Sequence, residues 1–235
     1  MQTGEFVAAF REAFGPVPEL PLLFRYTDEP LRPAAKAGGC FFKALAEARD
    51  GRPVGLNASN IGCGGGKFYT GFSPMPEFVP QFVSLKERYK QTPEMVLDFI
   101  AALDLRPGPK AWLEFVRVDA AGTFDGAEGV LFFATPDVLA GLVTWAGFDN
   151  DAPDAVAAPF GSGCSTVVSQ AVRENRNGGH RCFHPSVRPW VGADELCFVI
   201  PMSRFAGMCG TMRASCLFGT HAWDKVRERI NKMNL

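Results

Sequence analysis

Apolar residues recur along this chain with two spacings, and the change from one to the other marks where its elements begin and end. Phe6, Phe10, Ala13 and Phe14 fall at helical spacing, and Gly15-Pro16 stops the run. Residues 21–26 form a short apolar strand. Phe41, Leu45 and Ala48 share one face of a helix over 40–49, which Asp50-Gly51 ends. Residues 53–58 read as a strand entering a glycine loop at 62–66, and 67–72 as the strand that leaves it. Thr92-Pro93 opens a helix to about Leu103, with Thr as cap and Pro in the first turn. Residues 112–118 and 129–133 are strands, and Thr135-Pro136 opens a second capped helix to about Ala146. The acidic stretch 149–154 is a solvated loop. Residues 155–160 lead into a Gly-Ser-Gly-Cys turn, a helix over 166–174 and a turn at 175–179. Residues 196–200 are a strand, and 204–216 and 222–233 are helices.

Strands and helices are mixed without strict alternation. The expected class is therefore α+β, with a mixed or antiparallel sheet and packed helices. Arg106-Pro107-Gly108-Pro109 is the clearest break, so a sub-boundary is expected near 106–110 within one domain spanning 1–235. The two halves share a loose order of strand, Thr-Pro or glycine-opened helix and Gly/Cys turn, which falls short of a duplication.

Composition narrows the class of protein. With 235 residues, 47% hydrophobic and 21% charged, the chain can bury a sizeable core. A net charge of −1 with no Lys/Arg run argues against nucleic acid as a partner. Glu5, Arg11 and Glu12 interrupt the N-terminal segment, and no apolar run has the length of a membrane span. A cytoplasmic protein with no membrane partner is expected. There the seven cysteines serve as thiols, metal ligands or catalytic groups, not as a disulfide framework.

Three of those cysteines stand beside glycine: Gly39-Cys40, Gly62-Cys63-Gly64-Gly65-Gly66-Lys67 and Gly161-Ser162-Gly163-Cys164. Glycine lets the backbone turn sharply or approach a ligand closely. The second segment superficially resembles a phosphate loop, but Phe68 follows Gly66-Lys67 where Ser or Thr is needed, and Ile61 replaces the first Gly. Cys164 near a helix start would have its thiol pKa lowered, yet the flanking glycines lack the spacing of a hydrolase elbow. His180, Cys182 and His184 lie within five residues in a segment that reads as loop. The His pair has zinc-like spacing, but no Cys-x2-Cys accompanies it. Cys197, Cys209 and Cys216 sit in apolar segments and read as core, the last two on one helical face. Arg188, between His184 and Trp190, is a candidate for holding a ligand anion. Asp194-Glu195 reads as surface.

The order of short motifs is similar to that of the DUF169 family. Gly39-Cys40, Asp50-Gly51, Cys63-Gly64-Gly65-Gly66 and Tyr69-Thr70-Gly71-Phe72 resemble its first half. The run Phe132 to Asp137, Gly163-Cys164 and the run Asp194 to Pro201 resemble its second. The family is common in archaea and anaerobic bacteria and has no assigned activity. Cys40, Cys63 and Cys164 match its cysteine positions.

These readings converge on one expectation: Cys40, Cys63 and Cys164 meet around a site for a metal, an iron–sulfur cluster or a small ligand. Three thiolates would hold a cluster with one iron open, or a zinc ion with an open position. Gly62, Gly64, Gly65, Lys67, Gly161, Gly163 and Arg188 are expected at its mouth. The alternatives are a metal-free pocket for a small molecule, or a thiol enzyme using Cys164 with His184 or His221 as base.

Overall fold

The computed structural model describes residues 2–34, 39–158, 160–171, 179–182 and 185–232. Its seven-stranded sheet has the order β2-β3-β1-β4-β7-β6-β5. The strands are β1 (Leu22–Thr27), β2 (Val54–Leu56), β3 (Trp112–Arg117), β4 (Gly129–Ala134), β5 (Val156–Ala157), β6 (Gly179–Cys182) and β7 (Leu196–Pro201). Neighbours pair antiparallel except β5 with β6, which are parallel. The α-helices are α1 (Thr3–Phe14), α2 (Phe41–Arg49), α3 (Gly64–Tyr69), α4 (Val79–Gln81), α5 (Pro93–Ala102), α6 (Val118–Ala121), α7 (Pro136–Gly147), α8 (Met202–Thr211) and α9 (His221–Lys232). The class is α+β.

Successive side chains of a strand point to opposite faces. An unbroken apolar run such as Val130-Leu131-Phe132-Phe133 therefore serves two layers at once. Leu23, Val130, Phe132, Phe198 and Ile200 belong to one core, packed with α1, α7, α8 and α9. Leu22, Phe24, Leu131, Phe133, Cys197 and Val199 belong to the other, packed with α2, α3 and the π-helical segment Ser165–Gln170.

The first core is closed by aromatic rings. Phe10 stacks on Phe14 at 4.7 Å between centroids, and Phe14 meets Trp223 edge-on at 5.1 Å. Both buried indoles are satisfied: Trp145 donates to the Met208 carbonyl at 3.0 Å and Trp223 to that of Ala13 at 2.8 Å.

Several expected elements change. Residues 67–72 are not a strand, because the glycine run itself is the first turn of α3, capped by Cys63. The segment 179–182 is not loop but pairs with β7. Helix α8 ends at Thr211 and gives way to a 3-10 turn over Met212–Ala214, so Cys216 does not share a helical face with Cys209. Val79–Gln81 continues as a π-helical turn over Phe82–Lys86. Near the expected boundary at 106–110, Gly108 donates its amide to the Gly71 carbonyl at 2.9 Å. A Cβ on Gly71, whose φ is +80°, would lie 2.2 Å from the Gly108 nitrogen, so this approach needs glycine. Beyond that segment, β3 inserts between β1 and β2.

Candidate functional site

Each glycine-flanked cysteine stands where a helix begins. Cys40 is the N-cap of α2 and Cys63 that of α3, its sulfur accepting the Gly66 amide at 3.2 Å. Cys164 immediately precedes the π-helical segment 165–170. All three line one cavity of about 510 Å³, within the range of about 300–1,000 Å³ usual for small-molecule sites.

Its walls are mostly apolar. Phe41 and Phe42 come from α2, Tyr69 from α3 and Val187 from the 3-10 turn Pro185–Trp190. The opposite wall is a helical flap: Val79, Phe82 and Val83 from α4 and its π turn, with Val96 and Phe99 from α5. Phe78, Phe82 and Phe160 line the cavity and are also exposed to solvent. The Ser169 hydroxyl donates to the Tyr69 carbonyl, tying the π segment to α3.

Glycine serves close packing of the helix starts here. A Cβ on Gly163 would lie 2.3 Å from Val187 Cγ1 and 2.6 Å from Phe42 Cε2. One on Gly66 would lie 2.7 Å from Cys63 Sγ and 3.0 Å from Ile61 Cγ2. Gly64 is tight only against Pro76, at 3.2 Å, and Gly65 meets nothing nearer than the Tyr69 ring at 3.9 Å.

Burial controls the thiols. It pushes Cys164 up to about 12, outweighing the Ser162 hydroxyl 3.4 Å away, and the neighbouring Cys63 and Cys40 raise it further. Burial likewise raises Cys40, against the lowering effect of the Phe42 and Lys43 amides. The helix start therefore does not make Cys164 a thiolate, contrary to expectation, because desolvation is the larger effect.

The expected site residues divide. Cys40, Cys63, Cys164, Gly64, Gly65 and Gly163 line the cavity; Gly62, Lys67, Gly161 and Arg188 are not in its lining. Gly161 packs against Gln170 and Thr166. Arg188 donates to the carbonyls of Glu195 (2.5 Å), Ala193 (2.8 Å) and Gly192 (2.9 Å), which engages its guanidinium in holding a turn. Glu195 is not simply surface: it pairs with Arg49 at 2.9 Å, and Arg49 also pairs with Glu19 at 2.6 Å. His221 is exposed at the start of α9, whose Trp223 and Ile230 belong to the other core, so it cannot serve Cys164 as base. His184 and the side chains of His180 and Cys182 lie outside the described residues. Cys197 and Cys209 are buried, whereas Cys216 is only partly so. Among the described residues no group of three or more His, Cys, Asp or Glu is placed to hold a metal ion.

Sequence reasoning missed the flap. Phe78, Phe82 and Leu85 recur at helical spacing, a signal that Pro76 and Pro80 obscured. It also missed Lys90, which lines the cavity and sits over the rings of Phe160 (4.5 Å) and Phe99 (5.0 Å).

No helix among the described residues is long and apolar enough to cross a membrane. No curated protein and no solved structure matches the chain. The family model DUF169, Uncharacterised ArCR, matches residues 21–210, well over half of the sequence. The chain belongs to the DUF169 family.

Proposed function

We propose that this protein binds a small, largely apolar organic molecule in the cavity between α2, α3 and the flap. The observation that carries the reading is the cavity itself: about 510 Å³, walled by Phe, Val and Tyr side chains, with three thiols facing it. An apolar enclosure of this size favours a ligand that exchanges water contact for contact with those side chains. Cys40, Cys63 and Cys164 supply polarisable wall in this reading, and burial raises the thiol pKa of Cys40 and Cys164.

The same three cysteines carry a second reading, a zinc ion or iron–sulfur cluster. It ranks second because the described residues offer no group of three or more ligands for a metal, and because ligation would require Cys40 and Cys164, whose thiol pKa burial raises, to lose their protons.

The test is binding of 1-octanol, followed by calorimetry, to the wild type and to Gly65→Leu. The Gly65 position faces the cavity with open space, so leucine fills the cavity without displacing backbone. Saturable binding by the wild type that Gly65→Leu abolishes, at an unchanged melting temperature, supports the pocket. Equal binding by both proteins, or by neither, overturns it. Stoichiometric metal and sulfide in anaerobically purified protein, lost on replacing any of the three cysteines, would put the metal reading first.

A further inference from the structure

The cavity's ligand class can be narrowed from its one cationic wall residue among the described positions, Lys90. Two residues beyond the π-helical turn, Arg88 takes a left-handed conformation (φ 56°) that turns the chain back; the Tyr89 amide donates to the Val83 carbonyl at 3.0 Å. This turn brings Lys90, half-buried, over the contacting Phe99 and Phe160 rings.

An ammonium carries three donors and no acceptor. The aromatic faces satisfy the Lys90 charge in part, but no carboxylate among the described residues pairs with it. The acid on the same rim, Glu87, is engaged by the Tyr89 hydroxyl. Lys90 also borders a separate outer hollow lined by Arg88. The cavity interior, beyond Phe82, Val96 and Phe99, is apolar.

We propose that the ligand is an amphipathic monoanion, a carboxylate on an aliphatic or aryl body, with its head on Lys90 and its body against the phenyl and thiol wall. One cation complements one negative charge. A dianionic phosphate head would place its second charge beside Glu87, where repulsion opposes it. The inference rests on the cavity reading above and adds the charge and the pole.

Octanoate and octanol, titrated calorimetrically into the wild type, Lys90→Gln and Glu87→Gln, separate the two ideas. Octanoate is expected to bind the wild type about tenfold or more tighter than octanol, the usual gain of a charge-assisted contact. Lys90→Gln should erase that preference, bringing octanoate affinity down to that of octanol in the same variant; Glu87→Gln should strengthen octanoate. Octyl phosphate should bind the wild type more weakly than octanoate. If octanol binds and octanoate is no better, or if Lys90→Gln leaves the preference intact, the carboxylate proposal falls while the cavity reading stands. Octyl phosphate outcompeting octanoate also overturns it. If neither octanoate nor octanol binds the wild type, the cavity reading fails and the proposal goes with it.

Discussion

The two faces of the sheet receive apolar side chains from the same strands and end differently. On one face, α1, α7, α8 and α9 close over Phe6, Phe10, Phe132 and Phe205. On the other, α2, α3 and the 165–170 segment cover the strands, but the flap over residues 79–102 stands off and leaves a cavity. The difference lies in what the covering helices offer. Helices of the first face run three or four turns and bury a continuous stripe. Those of the second begin at cysteines and glycines, and their partner flap, with Phe78 just before it, leaves Phe78, Phe82, Leu85, Met95 and Leu97 exposed to solvent. A closed core is built for stability. Apolar surface that is both enclosed and partly exposed is built to meet something else.

If that contrast is right, truncation should cost far more on the closed face. Phe132→Ala, at 1% exposure and ringed by Phe10, Phe198 and Phe205, is expected to lose about 3–5 kcal/mol in urea unfolding. Phe82→Ala, on the flap, should lose about 1 kcal/mol or less. Equal losses would mean the flap is core.

The cavity floor is nevertheless tightly packed where helix starts meet. Gly163→Ala forces a methyl group against Val187 and Phe42 and should cost about 1–3 kcal/mol. Gly65→Ala, in open space, should leave stability within about 0.5 kcal/mol. A reversed order would show that the glycine run, not the Gly163 turn, is the structural joint.

Alkaline pH probes both faces together. Cys164, at the cavity, and Cys209, in the closed core, are each pushed up to about 12 by burial from an ordinary thiol value near 9. The folded state thus holds these protons more tightly than the unfolded chain. Their contribution is complete below about pH 9 and is lost as pH rises from there towards about 12. Stability measured across that window should fall, and Cys164→Ala and Cys209→Ala should each flatten the slope. An unchanged slope in both variants would place the alkaline loss in other groups.

The smallest effect is kinetic. Cys40 and Cys63 are partly exposed while Cys164, Cys197 and Cys209 are buried. A maleimide should therefore label Cys40 and Cys63 well before Cys164, Cys197 and Cys209 at neutral pH, and saturating octanoate should slow both. Cys164 labelling first would revive the thiol-enzyme reading.

Where the apolar rhythm was strong, the sequence was a reliable guide. Helices α1, α5 and α7, with their Gly-Pro stop or Thr-Pro starts, and strands β1, β3, β4 and β7 are visible in it directly. The glycine run at 62–66 was misleading, since glycine reads locally as loop yet here permits α3 to press against Phe41 and Ile61. Glu195 and Arg188 read as surface and ligand anchor because their partners, Arg49 at one remove of 146 positions and the carbonyls of the following turn, are not visible in local pattern.

The sequence by itself determined the class of the fold and the choice of Cys40, Cys63 and Cys164 as residues in a common context. Those are properties of neighbours along the chain: periodicity, capping and glycine beside cysteine. Only the tertiary structure decided that the three thiols share an apolar cavity, that burial keeps Cys164 protonated, and that Lys90 stands in the cavity wall over two rings. Desolvation and enclosure depend on segments far apart in sequence packing around one space, and no local pattern encodes how much water they exclude.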